Sequence, residues 1–209
     1  MRIVSLIAGA AVLAAAWLGP LPDLAAHSFA AHMTIHIAVV AVAAPLLAIA
    51  IAGTVVDPAR MIPPIPAAML ELVVVWAWHV PAMHDAARDP AVFALEQGSF
   101  LVTGVLLWMA AVGGDAEQRR VRAGAGVAAL LFTSMHMTLL GALFALARRP
   151  LFAHTASGAN LPPLTDQELG GVIMLLVGGA SYLVGGLGLM ALALRSPRPK
   201  STARRELPA

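Results

Sequence analysis

Six stretches of the chain run almost without charge, separated by short polar or proline-rich breaks. They cover about Ile3 to Leu18, Ala25 to Ile51, Pro66 to Val80, Ala91 to Val112, Gly124 to Ala147 and Leu169 to Leu194. A helix needs roughly 20 mostly apolar residues to cross a bilayer, so the pattern predicts an all-α, polytopic transmembrane bundle of about six spans. The third segment is the shortest. The first, "MRIVSLIAGAAVLAAAWLGP", also has the basic start and small-residue flank of a signal peptide; we read it as a retained helix. The breaks "GTVVDPARMIPPIP", "GGDAEQRRVR" and "ARRPLFAHTASGANLPPLTDQE" read as connections. Residues 1–194 are taken as one transmembrane domain and the basic, proline-rich residues 195–209 as a disordered cytoplasmic tail. The glycine pairs of "GGVIMLLVGGASYLVGGLGLM" read as places where helices pack closely.

Composition sharpens this picture. Of 209 residues 60% are hydrophobic and 11% charged, with a mean hydropathy of +0.84, far from the charged content of a soluble domain. With the N-terminus inside, ten of the 13 Lys and Arg residues (Arg2, Arg60, Arg119, Arg120, Arg122, Arg195, Arg198, Lys200, Arg204 and Arg205) fall on the cytoplasmic side. Arg88, Arg148 and Arg149 fall outside, as the positive-inside rule expects. The net charge of +2 therefore reads as topology rather than as nucleic-acid binding.

The same topology sorts the seven histidines. His27, His32 and His36 lie where the second segment enters from outside, His79 and His84 where the third leaves, and His154 in the last outer loop; His136 is deep in the fifth. His32 and His36, one helical turn apart in "HMTIH", share a face and can hold one ion. Met33 follows His32 where a zinc protease needs glutamate, so hydrolytic zinc chemistry lacks its base. In "WAWHVPAMHDAARDP", Pro81 disturbs the helix end and can turn His79, Met83 and His84 inward. In "LLFTSMHMTLLGALF", His136 and then Met137 are the candidates, because a polar group at that depth is costly. Glu71 is expected to be satisfied by a polar neighbour or to carry protons, while Glu96, Asp166 and Glu168 read as helix caps or a solvated rim. Cysteine is absent. A donor set of His and Met without Cys suits Cu(I), with haem b, ligated by paired histidines, as the rival. The candidate metal ligands are His32, His36, His79, His84 and His136.

"HMTIHIAVVAVAAPLL", "WHVPAMHDAARDPAVFALEQGSFLVTGVLLW" and "LLGALFALARRPLFAHTASGANLPPLTDQELGGVIM" occur in this order over most of residues 30 to 180. Together they resemble the CtaG family of cytochrome c oxidase assembly factors. The resemblance implies a non-enzymatic helical membrane protein that assists maturation of a haem-copper oxidase through copper handling, with kinship to membrane copper-resistance proteins of the CopD type. It maps family positions onto His32 and His36, onto Trp78, His79 and Pro81, and onto Asp166 and Gln167; His136 lies just before the matching "LLGALF". The chain departs from the family in having Glu96-Gln97 where Glu-His is common, and six expected spans where relatives often have seven. The expected function is to bind or deliver copper at the periplasmic face of a bacterial inner membrane, with a membrane oxidase subunit or periplasmic copper carrier as partner. A haem b electron-transfer protein and a copper transporter related to CopD are the alternatives. The transporter predicts metal flux, for which no ligands are evident in the cytoplasmic half.

Overall fold

In a computed structural model the chain is described at residues 2–54, 62–114, 116–152 and 161–195. Among these residues the secondary structure is helical, with no strand. The elements are α1 (Arg2–Leu18), α2 (Leu21–Ala25), α3 (Phe29–Ile51), α4 (Pro64–Trp78), α5 (Pro81–Ala86), α6 (Pro90–Val112), α7 (Ala116–Ala145) and α8 (Pro163–Arg195). Four are long and apolar enough to cross a membrane: α3, α6, α7 from Arg120, and α8. Two of the six expected spans, α1 and α4, are apolar helices of 17 and 15 residues, short of that length. Pro63 and Pro64 begin α4, and Trp78 ends it two residues before Val80 and Pro81 start α5. Pro81 disfavours helical backbone at Val80, so the oily run is cut there. The expected tail lies outside the described residues from Ser196 onward.

Proline opens α4, α5, α6 and α8, where its missing N–H costs nothing. Asp89 caps α6 by accepting from the Ala91 and Val92 amides at 2.9 and 3.2 Å. The last helix starts at Pro163, earlier than the expected Leu169, because "PLTDQE" is helical rather than part of the connection. Two of its polar residues, Asp166 and Gln167, are buried in use. Asp166 accepts from the Ser28 hydroxyl at 2.7 Å and the Phe29 amide at 2.6 Å, closing the amino end of α3. Gln167 accepts from the Leu151 amide at 2.6 Å.

Packing follows the membrane pattern, with small residues at helix contacts and apolar side chains facing outward. Gly141 of α7 meets Gly171 of α8 so closely that a Cβ on Gly171 would lie 2.6 Å from the Gly141 carbonyl oxygen. Only glycine permits that approach. Val102, Leu139, Leu176 and Val184 are exposed, as a lipid-facing surface requires. Buried polar groups are gathered inside instead, and most lie near the end where α3, α6 and α8 begin and α4 and α7 finish.

Two helices widen locally. Ala38–Ala43 in α3 and Met174–Gly178 in α8 form π turns. In α3 the cause is Pro45, which has no N–H to give and whose ring would strike the carbonyl one α-turn back, at Ala41.

Candidate metal centre

The amino-terminal turns of α3, the end of α4, the short α5 and the first turns of α6 converge on one buried cluster. His32, His36, His79 and His84 are all buried there, together with Glu96. His32 and His36 project from the same face of α3, as their spacing predicts, with ring centroids 4.3 Å apart and nearly perpendicular. The His84 ring lies 4.5 Å from His32, and the His79 ring 5.7 Å from His36.

Glu96 is the hub, not the helix cap or solvated rim expected from its place near a helix start. Its carboxylate is fully buried, accepts from His32 Nε2 at 3.2 Å and lies 3.4 Å from His36 Nε2. The correction has a simple cause: nearly two turns into α6, Glu96 faces α3 rather than solvent, and a charge there needs the imidazoles as partners. His32, His84 and Glu96 each offer a ligand atom within 4.8 Å of the others, a spacing that can hold a metal ion.

Gln97 stands beside this group and orients it. Its Oε1 accepts from Trp17 Nε1 at 3.4 Å, and its Nε2 donates to Glu96 Oε2 at 3.4 Å. The amide nitrogen therefore also donates to His36 Nδ1 at 3.0 Å. That leaves the His36 Nε2 hydrogen facing Glu96, so this imidazole is positioned as a neighbour of the three-ligand group.

His79 is fixed differently. A carbonyl only accepts, so the 2.6 Å contact with Val75 O places the hydrogen of the neutral ring on Nδ1. Nε2 then presents a lone pair to the Met33 sulfur 3.3 Å away. Two acceptors face each other with no hydrogen between them, and a soft cation beside both would reconcile them. Met33 is fully buried and is the thioether at the centre. Of the expected thioethers, Met83 is half-exposed and Met137 packs in the core near Gly178.

His136 is buried on α7 with its ring against Phe132, 5.6 Å between centroids. Both ring nitrogens lack a hydrogen-bond partner, and no described contact joins it to the other four histidines. His27 is exposed at the α2–α3 junction, and His154 lies outside the described residues.

The cluster opens outward into a cavity of about 350 Å³ with His32 and His84 among its walls, along with Asp23, Arg88, Pro90 and Phe93. Burial first, and then the adjacent His32 ring, push the His84 imidazole far below the ordinary histidine range, to about 2. It therefore stays neutral, the form that binds metal. Phe29 and Phe152 pack on its other side at 5.5 and 4.6 Å between centroids. These aromatic rings shield the cluster from the bundle side.

Sequence reasoning placed four of these five buried side chains by their proximity to one membrane face. It missed Glu96, Met33 and Gln97. Met33 sits between the paired histidines in the quoted motif, and an acid and amide on an apolar helix beginning at the same face were the available signals.

In comparisons with known proteins, the family model described as cytochrome c oxidase caa3 assembly factor (Caa3_CtaG) matches residues 1–196. No curated protein and no solved structure matches the chain.

Proposed function

This chain belongs to the family of cytochrome c oxidase caa3 assembly factors, and from that premise we propose that it serves oxidase assembly by holding copper at the buried cluster and passing it on. The observation that carries the reading is the convergence of His32, His84 and Glu96 beneath an open cavity, with the soft pair His79 and Met33 alongside. Imidazole, thioether and one carboxylate form a donor set for copper, and the absence of cysteine leaves no thiolate to trap it. The cavity gives a carrier or oxidase segment access to His84, so copper moves by ligand exchange and the protein catalyses no bond change. Positive-inside charge supports a periplasmic location for this end in a bacterial inner membrane.

Copper is favoured over haem b by the packing of the rings. His32 touches both His36 and His84 edge-on at 4.3 and 4.5 Å, which leaves no slot for a porphyrin between these imidazoles. Metal analysis and an optical spectrum of the purified protein test the reading together. Stoichiometric copper without a Soret band is expected, along with a copper-deficient oxidase in cells lacking the protein. A Soret band that shifts on reduction, or a protein that takes up no Cu(I), would overturn it.

A further inference from the structure

Glu71 lies near the middle of α4, two turns from His79 and away from the metal cluster. It is fully buried, as is Tyr182 of α8. The Tyr182 hydroxyl is within hydrogen-bond distance of two oxygens: Glu71 Oε1 and, at 3.2 Å, the carbonyl of Val40. A phenol has one hydrogen to give, so it cannot satisfy two acceptors.

The Val40 carbonyl needs that hydrogen because of Pro45. In an α-turn its donor would be the Ala44 amide, but that amide is bonded to Val39 O in the widened turn. In a π turn its donor would be residue 45, and proline has none. The neighbouring Ala41 carbonyl loses its α-helical donor to the same proline and is served by the Ser181 hydroxyl at 2.6 Å. Adjacent residues of α8 thus supply hydrogens to two adjacent carbonyls of α3 that Pro45 leaves without them. A buried carbonyl left with no donor costs about 1–3 kcal/mol as a general rule, so the Tyr182 hydrogen belongs to Val40.

The hydrogen between Tyr182 and Glu71 must then come from the acid. We propose that Glu71 is a resident proton-binding site: its carboxyl group is held as the neutral acid, donating from Oε1 to the Tyr182 oxygen, which donates in turn to Val40. Each contact then has one hydrogen, and the chain of donors runs from α4 through α8 to α3. Ionised Glu71 would take the Tyr182 hydrogen, strand the Val40 carbonyl and leave a negative charge inside the bundle. No cationic side chain compensates it among the described residues, and an unpaired charge at that depth is expensive.

The surrounding groups are polar but uncharged. Thr133 of α7 approaches the carboxyl, and both its hydroxyl and Glu71 Oε2 lack a closed hydrogen bond. A threonine hydroxyl is a donor that can serve the carbonyl-like oxygen of the acid. Trp108 of α6 stacks on the Tyr182 ring at 5.3 Å. His136, one turn along α7 from Thr133, has no electrostatic interaction with Glu71. No described contact joins Glu71 or Tyr182 to the histidine cluster, although Val40 lies one turn beyond His36 on the same helix.

Infrared spectroscopy of the full-length purified protein in lipid at neutral pH tests this directly. The expected result is a C=O stretching band of a protonated carboxyl group that shifts on [13C]glutamate labelling and disappears in Glu71→Gln. Glutamine can donate to Tyr182 as the neutral acid does, so this variant should insert and fold. Tyr182→Phe in the otherwise native chain provides a second reading, since removal of the hydrogen-bond partner should move the band to higher frequency. Absence of a labelled protonated-carboxyl band in the native protein, or a band unchanged by either substitution, would overturn the proposal.

Discussion

Glu96→Gln removes a charge while keeping size and one carbonyl oxygen, so it isolates what the carboxylate gives a cation. The three ligand atoms of His32, His84 and Glu96 lie within 4.8 Å of one another. A monovalent cation equidistant from three such atoms is about 2.8 Å from each, which at an effective dielectric constant near 20 gives a charge–charge attraction of about 6 kcal/mol. Glutamine keeps a dipole, and the native carboxylate gives up some of its contact with His32 and His36, so a net loss of about a third of that value is expected. About 2 kcal/mol corresponds to roughly a 30-fold rise in Kd. Competition for Cu(I) against a chromophoric chelator, under anaerobic conditions in detergent, measures this. Asp85→Asn is the control, because Asp85 is a half-exposed carboxylate paired with Arg88 at 3.8 Å and should leave the affinity unchanged. A Glu96→Gln variant that folds and binds Cu(I) within about threefold of the native protein would refute the assignment of Glu96 as a ligand.

Three further outcomes follow from the same structure. His84 has an ordinary value of 6.5 and a folded value of about 2, so the unfolded chain binds its proton first: its contribution is complete above pH 6.5 and is lost as pH falls toward 2. Replacement His84→Phe should therefore flatten the acid loss of thermal stability in the metal-free protein, by at most about 1.4 kcal/mol per pH unit, read from melting temperatures across pH. Gly171→Val places a side chain against the Gly141 carbonyl and the Ala145 amide, and the forced separation of α7 and α8 should destabilise the bundle by about 1–3 kcal/mol or more, seen as a lower melting temperature with Glu71→Gln little changed. Reporter fusions placed after Leu194 should report a cytoplasmic carboxyl end, given the ten-to-three distribution of Lys and Arg; a periplasmic signal would reverse the face assigned to the metal cluster.

The membrane class of this chain was legible in its sequence because length, low charge and basic asymmetry are properties of segments taken one at a time. The shared face of His32 and His36 was legible for the same reason, since it depends only on the pitch of their own helix. Pro45 likewise announces that carbonyls behind it must look elsewhere for hydrogen. What lies opposite is a matter of which helices meet, and a single sequence carries no such information. Glu96 reads as a rim residue until α6 packs on α3; then it is the buried partner of two imidazoles. Met33 reads as an interruption between two histidines, yet α4 brings His79 to its sulfur. His136 lies deep in an apolar segment, but the contacts of α7 leave it against Phe132 rather than beside the cluster. Ser181 and Tyr182 stand 140 and 142 residues from the carbonyls they serve, and only the tertiary fold brings those donors to the gap that proline made.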